Sequence, residues 1–367
     1  MDFKNYLVPG KTGLLIGIGG VSMSPLAEVL HDAGLDIRGS DMAESSNTLT
    51  LRERGIPIHI GHSAVNVTDD ISFVIRTAAV HDDNPEVHEA HRRGIPVFER
   101  TQAWGALMRG YQNALCISGT HGKTTTTSMC THIMMAAEKD PTVMIGGTLP
   151  LLKACHRVGK GNTIIMESCE YYNSFLALNP TIAVVLNIEA DHLDFFKDLE
   201  NIKHSFRCFA ERVPAETGTV IANYDDANTM DALRGIARKV ITFGLNAKAD
   251  VYAQNIVHRG SVSEFDIYHR GNYFARVTLH VPGIHNVRNA LAATAAAIVL
   301  GVSPNAVKYG LAGFEGAGRR FDFKGKFQGA DLYDDYAHHP SELRALLDAV
   351  DTLNYQRTIV VFQPHTY

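Results

Sequence analysis

Cysteine is sparse and scattered in this sequence. The 367 residues hold five, Cys116, Cys130, Cys155, Cys169 and Cys208. No two form a C-x-x-C pair, which argues against a disulfide framework or a zinc ribbon and for a reducing compartment, the cytoplasm. Long apolar runs are also missing. The opening MDFKNYLVPGKTG has no apolar core of a secretory signal. The richest apolar stretch, NALAATAAAIVLGV from Asn289 to Val302, is too short and too rich in alanine to span a bilayer, so no membrane partner is expected. Positive charge is not in excess. Thirty-four Lys and Arg face 39 Asp and Glu, a formal net charge of -5 with a pI near 6.4, which argues against a nucleic-acid partner. Internal repeats and low-complexity segments are absent as well.

What is present is the composition of a soluble globular protein, 45% hydrophobic and 20% charged. The chain is too long for one ordinary core, so two or three domains are expected. Residues 1–111 alternate short apolar runs (GLLIGIG, LDIRGSD, ISFVIRTAAV, GIPVF) with helical patterns such as SPLAEVLHDAG. Such alternation predicts a parallel sheet with right-handed crossovers, a Rossmann-like unit. A second unit, 112–317, opens at NALCISGTHGKT and continues with the buried-strand candidates NTIIMES and TIAVVLNI. Three glycine-broken alternating segments between Ala249 and Gly283 then predict a small antiparallel patch, followed by helices near 286–300 and 304–311. A third stretch, 318–367, predicts a strand pair (RFDFKGKF, ADLYDDYA), a helix (PSELRALLDAV) and a strand (RTIVVFQ). About fifty residues bury too little surface to stand alone, so this stretch is expected to lean on the second unit or to be part of a longer domain.

The segment ISGTHGKTTTTSM, Ile117 to Met129, resembles a phosphate loop but fails the G-x-x-x-x-G-K-[ST] spacing, because Ile117 stands where the first glycine belongs. A strand, a tight turn bearing Gly119 and Gly122, and a helix still aim free N–H groups and a positive dipole end at one point. Lys123 adds a mobile charge there, and the Thr124 hydroxyl is a natural Mg²⁺ ligand. A capped helix with a solvated lysine is the plainer account. It leaves four consecutive threonines unexplained, each about half a kcal/mol worse than alanine in a helix.

Polar groups cluster at the ends of the following strands, where open α/β sheets bind ligands. Glu167 and Glu170 follow NTIIM, and either suits a metal ion. Asn187, Glu189, Asp191, His192 and Asp194 follow TIAVVL. His285, Asn286 and Asn289 open a helix, with the two amides on one face. Arg319 and Arg320 lie in a glycine-rich connection from which a guanidinium can reach a phosphoryl group. Asp334, Asp335, His338 and His339 offer a metal-like set, although a strand-to-helix loop with Pro340 at the helix start explains them equally well. In the first unit, Gly17, Gly19 and Gly20 approach the dinucleotide fingerprint, with Ser22 where its third glycine belongs. Asp41 ends the second strand, placed to accept from a ribose hydroxyl.

The blocks GIGGVSMSPLAEVL, GTHGKTTTT, NIEADHLDFF, HNVRNALAA, GRRFDFKG, DDYAHHPSEL and FQPHTY occur in the order found in the Mur ligase family of peptidoglycan synthesis, which the chain resembles over nearly its whole length. The resemblance is strongest to the members that add L-alanine to UDP-N-acetylmuramate. It implies an α/β protein of three domains: an N-terminal Rossmann-like domain for the UDP sugar, a central P-loop-type ATPase domain, and a C-terminal Rossmann-like domain. Of the last, roughly another hundred residues are expected beyond Tyr367, so little or no ligase activity is expected of this chain alone. The implied reaction phosphorylates the lactyl carboxylate with ATP, and the amine of alanine then attacks the acyl phosphate. ATP and Mg²⁺ are the implied cofactors, UDP-N-acetylmuramate and L-alanine the substrates.

Carried over by position, the resemblance makes Lys123, His192 and Arg320 catalytic. Gly119, Thr120, His121, Gly122, Lys123, Thr124 and Thr125 would line ATP, together with Asn286, Asn289, Arg320 and Asp335. Thr124, Glu167 and His192 would hold metal, with Glu170 the alternative to Glu167. Gly19, Gly20, Ser22 and Asp41 would take the UDP sugar, and His338 would lie at the amino-acid end. A murein-tripeptide recycling ligase and a non-catalytic UDP-sugar-binding remnant remain open, as does, for the first unit, an NAD-binding dehydrogenase domain.

Overall fold

The computed structural model describes residues 2–77 and 79–363. The chain divides into two compact units, Met1–Tyr111 with Ala177–Asn179, and Gln112–Leu176 with Pro180–Tyr367.

In the first unit, β1 (Thr12–Ile16), β2 (Asp36–Asp41), β3 (Ile58–Ile60), β4 (Ile71–Arg76) and β5 (Val97–Glu99) form a wholly parallel sheet in the order β3-β2-β1-β4-β5. Every residue of β1 is buried, as expected of a central strand covered on both faces. Helices α1 (Ser24–Asp32), α2 (Ser46–Glu53), α3 (Pro85–Arg92) and α4 (Arg100–Met108) make the connections. Their starts follow local chemistry. Asn84 Oδ1 accepts from the Glu86 and Val87 N–H groups, and Ser45 and Thr48 form a reciprocal capping box. The segment Ala177–Asn179 joins this unit through Asn179, whose amide donates to Gly105 O at 2.8 Å.

The second unit is built on a ten-stranded sheet in the order β15-β14-β13-β12-β11-β10-β6-β9-β7-β8. Its parallel centre comprises β6 (Asn113–Ser118), β7 (Thr142–Leu149), β9 (Thr163–Glu167), β10 (Ile182–Val185), β11 (Thr219–Asn223) and β12 (Lys239–Gly244). β8 (Ala154–Arg157) closes one edge antiparallel. At the other, β13 (Val251–Arg259), β14 (Val262–His269) and β15 (Asn272–Leu279) run as a meander. Helices α5 (Lys123–Ala136), α9 (Ile284–Val299) and α10 (Pro304–Ala312) pack on one another and on the sheet. Alanines 290, 292, 293, 295, 296 and 297 of α9 are all buried; their small side chains let α9 approach β11 and β12 closely. Between β10 and β11 lie α6 (Leu193–Phe196) and α7 (Leu199–Glu211), and α8 (Ala227–Ala232) follows β11. The hairpin β16 (Asp322–Phe327) and β17 (Ala330–Asp334) and helix α11 (Pro340–Asp351) belong to the same unit, with α11 against α9.

The expected antiparallel patch is β13, β14 and β15, and because β13 pairs in parallel with β12 the patch extends the central sheet. Two features depart from the sequence reading. β7, β11 and β12 are strands that the reading passed over. RTIVVFQ, residues 357–363, forms no strand; Ile359, Val360, Val361 and Phe362 are exposed, and the only described sheet near it in sequence is the two-stranded β16-β17. A strand needs a neighbour for its backbone groups. The end of FQPHTY lies outside the described residues.

Candidate functional site

The turn after β6 is shaped by backbone. Gly119 and Gly122 have φ of 147° and 82°, and a Cβ on Gly122 would lie 2.7 Å from Asn289 Oδ1. Both the left-handed conformation and this contact require glycine. The Asn187 side chain, just past β10, clamps the turn: it accepts from His121 N at 2.8 Å and donates to His121 O at 3.0 Å. Glu189 N donates to Thr120 Oγ1 at 2.9 Å. Helix α5 then starts at Lys123 with N–H groups of its first turn directed at the turn. The threonine run is core rather than cap. Thr124 to Thr127 are all buried, and the Thr127, Ser128 and Thr131 hydroxyls donate to the carbonyls four residues back. Burial offsets the poor helix propensity, and these bonds satisfy the hydroxyls that burial removes from water.

Three adjacent parallel strands, β10, β6 and β9, deliver a polar cluster at their carboxyl ends. Lys123 Nζ donates to Gly119 O and Thr120 O at 2.5 and 3.1 Å and lies 2.9 Å from Glu170 Oε2. Burial favours the neutral amine, but the Glu170 carboxylate outweighs it, so Lys123 titrates above the usual lysine range. The Thr124 hydroxyl donates to Glu167 Oε1 at 3.1 Å, and Gly146 N donates to Glu167 Oε2 at 2.7 Å. His192 Nε2 lies 3.9 Å from Glu170 Oε1 and 3.8 Å from Asp191, its ring stacked on Tyr171 at 4.3 Å. The two glutamates are thus divided: Glu167 meets Thr124, while Glu170 spans Lys123 and His192.

Beside this cluster lies a cavity of about 400 Å³, within the range of small-molecule sites. His121, Gly122, Thr125, Asn286, Asn289, Arg320 and Asp335 all line it. Asn289 Nδ2 donates to Asn286 Oδ1 at 3.3 Å, and Asn286 Nδ2 to Pro282 O at 2.7 Å. Asp335 accepts from the N–H groups of Phe321 and Ala337, both at 2.7 Å; burial nevertheless raises its pKa. Arg320 lies over the Tyr336 ring, 5.4 Å from its centroid, and 3.8 Å from Glu342 Oε1. Burial, with Arg288 adding to it, pushes His285 down to about 4. His338 is not among the lining side chains; its Nδ1 lies 3.0 Å from Tyr336 O.

The metal-like set of Asp334, Asp335, His338 and His339 is not assembled, and the strand-to-helix loop stands as the account of these residues. Asp334 lies 3.5 Å from Arg319 and Asp335 is occupied by backbone N–H groups. His339 instead faces His121, with ring centroids 4.8 Å apart. The reading also missed Asn223, Asp225 and Glu342, which line the cavity. Asn223 and Asp225 follow the apolar run TVIA, the same pattern that singled out Asn187 and Glu189. Glu342 accepts from the His338 and His339 N–H groups at 3.1 and 3.3 Å and lies 3.2 Å from His121 Nδ1. Burial works to raise its pKa, but these bonds, His121 and Arg320 hold it down to about 2.

In the first unit the turn after β1 is tied to the end of β2. Gly19 N donates to Asp41 Oδ2 at 2.8 Å, and the Asn47 amide donates to Gly19 O at 2.8 Å. Gly20 N closes the turn on Gly17 O at 3.1 Å. The Ser22 hydroxyl bonds Arg100, and Ser22 O accepts from Trp104 Nε1 at 3.3 Å. Gly19, Gly20, Ser22 and Asp41 therefore share one strand outlet. Among the described residues, no helix is long and apolar enough to cross a membrane.

Three family models match successive parts of the chain. Residues 15–112 match the Mur ligase family catalytic domain, 117–297 the Mur ligase middle domain, and 319–366 the Mur ligase glutamate ligase domain. The UDP-N-acetylmuramate–L-alanine ligase of Agathobacter rectalis is 46% identical over 96% of this chain and 77% of its own. That of Clostridium novyi is 45% identical over 100% and 80%. Among solved structures, UDP-N-acetylmuramate–alanine ligase MurC from Thermotoga maritima superposes with a TM-score of 0.77 at 30% identity, covering 93% of this chain and 78% of that one. The UDP-N-acetylmuramate:L-alanyl-γ-D-glutamyl-meso-diaminopimelate ligase of Neisseria meningitides gives 0.75 at 26% identity, covering 84% and 99%. Regions matched in order along the chain, and relatives at this identity over nearly all of it, place the chain in the Mur ligase family.

Proposed function

We propose that this chain, against the low activity expected from its length, catalyses the ATP-dependent joining of L-alanine to UDP-N-acetylmuramate, a step of peptidoglycan precursor synthesis, giving ADP and phosphate. ATP phosphorylates the lactyl carboxylate, the alanine amine attacks the acyl phosphate, and phosphate leaves from a tetrahedral intermediate. One observation carries the reading: at the outlet of β10, β6 and β9, Lys123 and Thr124 meet Glu170 and Glu167. The names of the relatives at 43–46% identity support the choice of L-alanine.

In this reading the N–H groups of the Gly119–Thr125 stretch and the Lys123 ammonium hold the β- and γ-phosphates. Lys123 exchanges contacts with its own loop carbonyls for phosphate oxygens, while Glu170 keeps it charged. Thr124 and Glu167 fit Mg²⁺, since they offer hard oxygen donors side by side; the bound ion neutralises phosphate charge. His192, held by Tyr171 and Glu170, is the residue for a second ion. Asn286, Asn289 and Asp335 orient the nucleoside in the cavity, and Arg320 faces the transferred phosphoryl group. Gly19, Gly20, Ser22 and Asp41 bind the UDP sugar, and His338 belongs to the amino-acid end.

The test is phosphate release with MgATP and UDP-N-acetylmuramate, offering L-alanine, glycine, L-serine, D-glutamate or the tripeptide separately. Release is expected to require the UDP sugar and to be greatest with L-alanine. Greater release with the tripeptide moves the reading to the recycling ligase; release that ignores the UDP sugar overturns it.

A further inference from the structure

Three side chains from three separate segments converge beside the cavity, which His121 and Glu189 line and His339 does not. His121 lies in the turn after β6, Glu189 follows β10, and His339 caps α11. His121 Nε2 is 3.5 Å from Glu189 Oε2, and His339 Nδ1 is 3.6 Å from the same oxygen. One ligand atom from each residue lies within 4.8 Å of the others. Donors bound at about 2.0–2.2 Å to a tetrahedral ion stand roughly 3.4 Å apart. Two of the three separations are close to that value already.

Hydrogen bookkeeping shows why a cation suits this point. His339 Nδ1 accepts from the Ser341 N–H at a long 3.4 Å, so it is the unprotonated ring nitrogen, and an ion bound there takes over the lone pair that this contact uses. His121 Nδ1, 3.2 Å from the Glu342 carboxylate, carries its proton toward that anion, which leaves Nε2 with a lone pair. The Ser341 hydroxyl lies 3.0 Å from His121 Nε2 and 2.7 Å from His339 Nδ1. The hydroxyl hydrogen can serve only one of the two nitrogens, with the long Ser341 N–H contact as the other donor to His339, and the Glu189 carboxylate adds negative charge. Glu342 behind His121 is the outer carboxylate partner that commonly orients a metal-bound imidazole. The turn is rigid as well, since Asn187 fixes both the N–H and the C=O of His121.

We propose that His121, Glu189 and His339 form a binding site for a divalent transition metal of the zinc and cobalt class. Two imidazoles and one carboxylate with an open fourth position select such ions over Mg²⁺, which takes oxygen ligands. The site is separate from the Thr124–Glu167 pair. It ties the turn after β6 to the first turn of α11, so an ion bound there fixes two elements that border the cavity.

Metal-free protein titrated with Co²⁺ tests this without reference to turnover. One equivalent is expected to give visible d–d bands of low coordination number and no thiolate charge-transfer band. Zn²⁺ should abolish the bands and millimolar Mg²⁺ should not. His339→Asn retains a side chain suited to capping α11 and should weaken Co²⁺ binding by at least about tenfold. Glu189→Gln should act likewise from outside that helix. The proposal is overturned if no stoichiometric bands appear, if both variants bind as the parent does, or if binding is lost only in Cys208→Ser, since Cys208 Sγ lies 3.5 Å from His204 Nε2.

Discussion

The Thr124 hydroxyl donates to Glu167 Oε1 across 3.1 Å, whereas Glu170, three residues on, is turned to Lys123 at 2.9 Å. Substituting each glutamate should therefore have a different consequence. Glu167→Gln is expected to raise the Mg²⁺ concentration needed for ATP binding roughly tenfold, the scale seen when a metal site loses a supporting group. Glu170→Gln should shift that titration less. It should instead lower stability by about 1–3 kcal/mol, because Lys123 is left buried without its counter-charge. Mg²⁺ titrations of ATP binding and urea unfolding curves on both variants check this. A larger Mg²⁺ shift in Glu170→Gln would reverse the assignment.

Gly146 offers a way to move Glu167 without altering it. Its N–H holds Oε2 at 2.7 Å, and a Cβ there would sit 2.5 Å from Oε1. The carboxylate must shift to admit a methyl group, and Thr124 loses its acceptor. Gly146→Ala is expected to weaken Mg²⁺-dependent ATP binding by about tenfold while melting within a few degrees of the parent, since residue 146 is exposed. Unchanged Mg²⁺ dependence would mean that the position of Glu167 is immaterial.

How much of this site could be read in advance depends on whether the signal is local. β6, β9 and β10 are compact apolar runs, and the polar residues just past each are where a parallel sheet puts its ligands. So Lys123, Thr124, Glu167 and His192 were legible. β7 was not, since Gly146 and Gly147 interrupt its apolar run; one of them donates to Glu167, which explains glycine inside a strand. β11 and β12 were passed over as short runs, and Asn223 and Asp225 went with them. Just past Glu170, Tyr172 and Asn173 turn the chain with φ of 54° and 56°. Neither is a glycine, so no residue type announced the turn. The meeting of His121 with His339 and Glu342 is a contact across more than two hundred residues, and no spacing rule reaches that far.

Glu342 supplies a test through acid. Its pKa is held down to about 2 against an ordinary 4.5, so its contribution to stability is full above pH 4.5 and disappears as pH falls toward 2. The shift corresponds to at most about 3 kcal/mol. Glu342→Gln removes the titration and keeps an acceptor for the His338 and His339 N–H groups. In urea at pH 7 the parent is expected to be more stable than the variant. The gap should narrow markedly at pH 3. An equal gap at both values would show that the ionised carboxylate is not what His121 and Arg320 stabilise.

Asp41 tests the first unit separately. Its carboxylate is spent on Gly19 N rather than displayed to solvent alone, so it shapes the turn that we propose for the UDP sugar. Asp41→Ala leaves that N–H without its partner and frees the turn, at a cost of about 1–3 kcal/mol in stability. The UDP sugar should then protect the protein less against heat: a tenfold weaker Kd removes about 1.4 kcal/mol of ligand-induced stabilisation. Protection by MgATP should be unaffected, because Asp41 belongs to the unit of residues 1–111 and the Thr124–Glu167 pair to the other. Melting curves with each ligand alone decide the matter. If UDP-N-acetylmuramate protects the variant as well as the parent, the β1 turn is not its site; if MgATP protection falls too, Asp41 acts on the whole fold rather than on that turn.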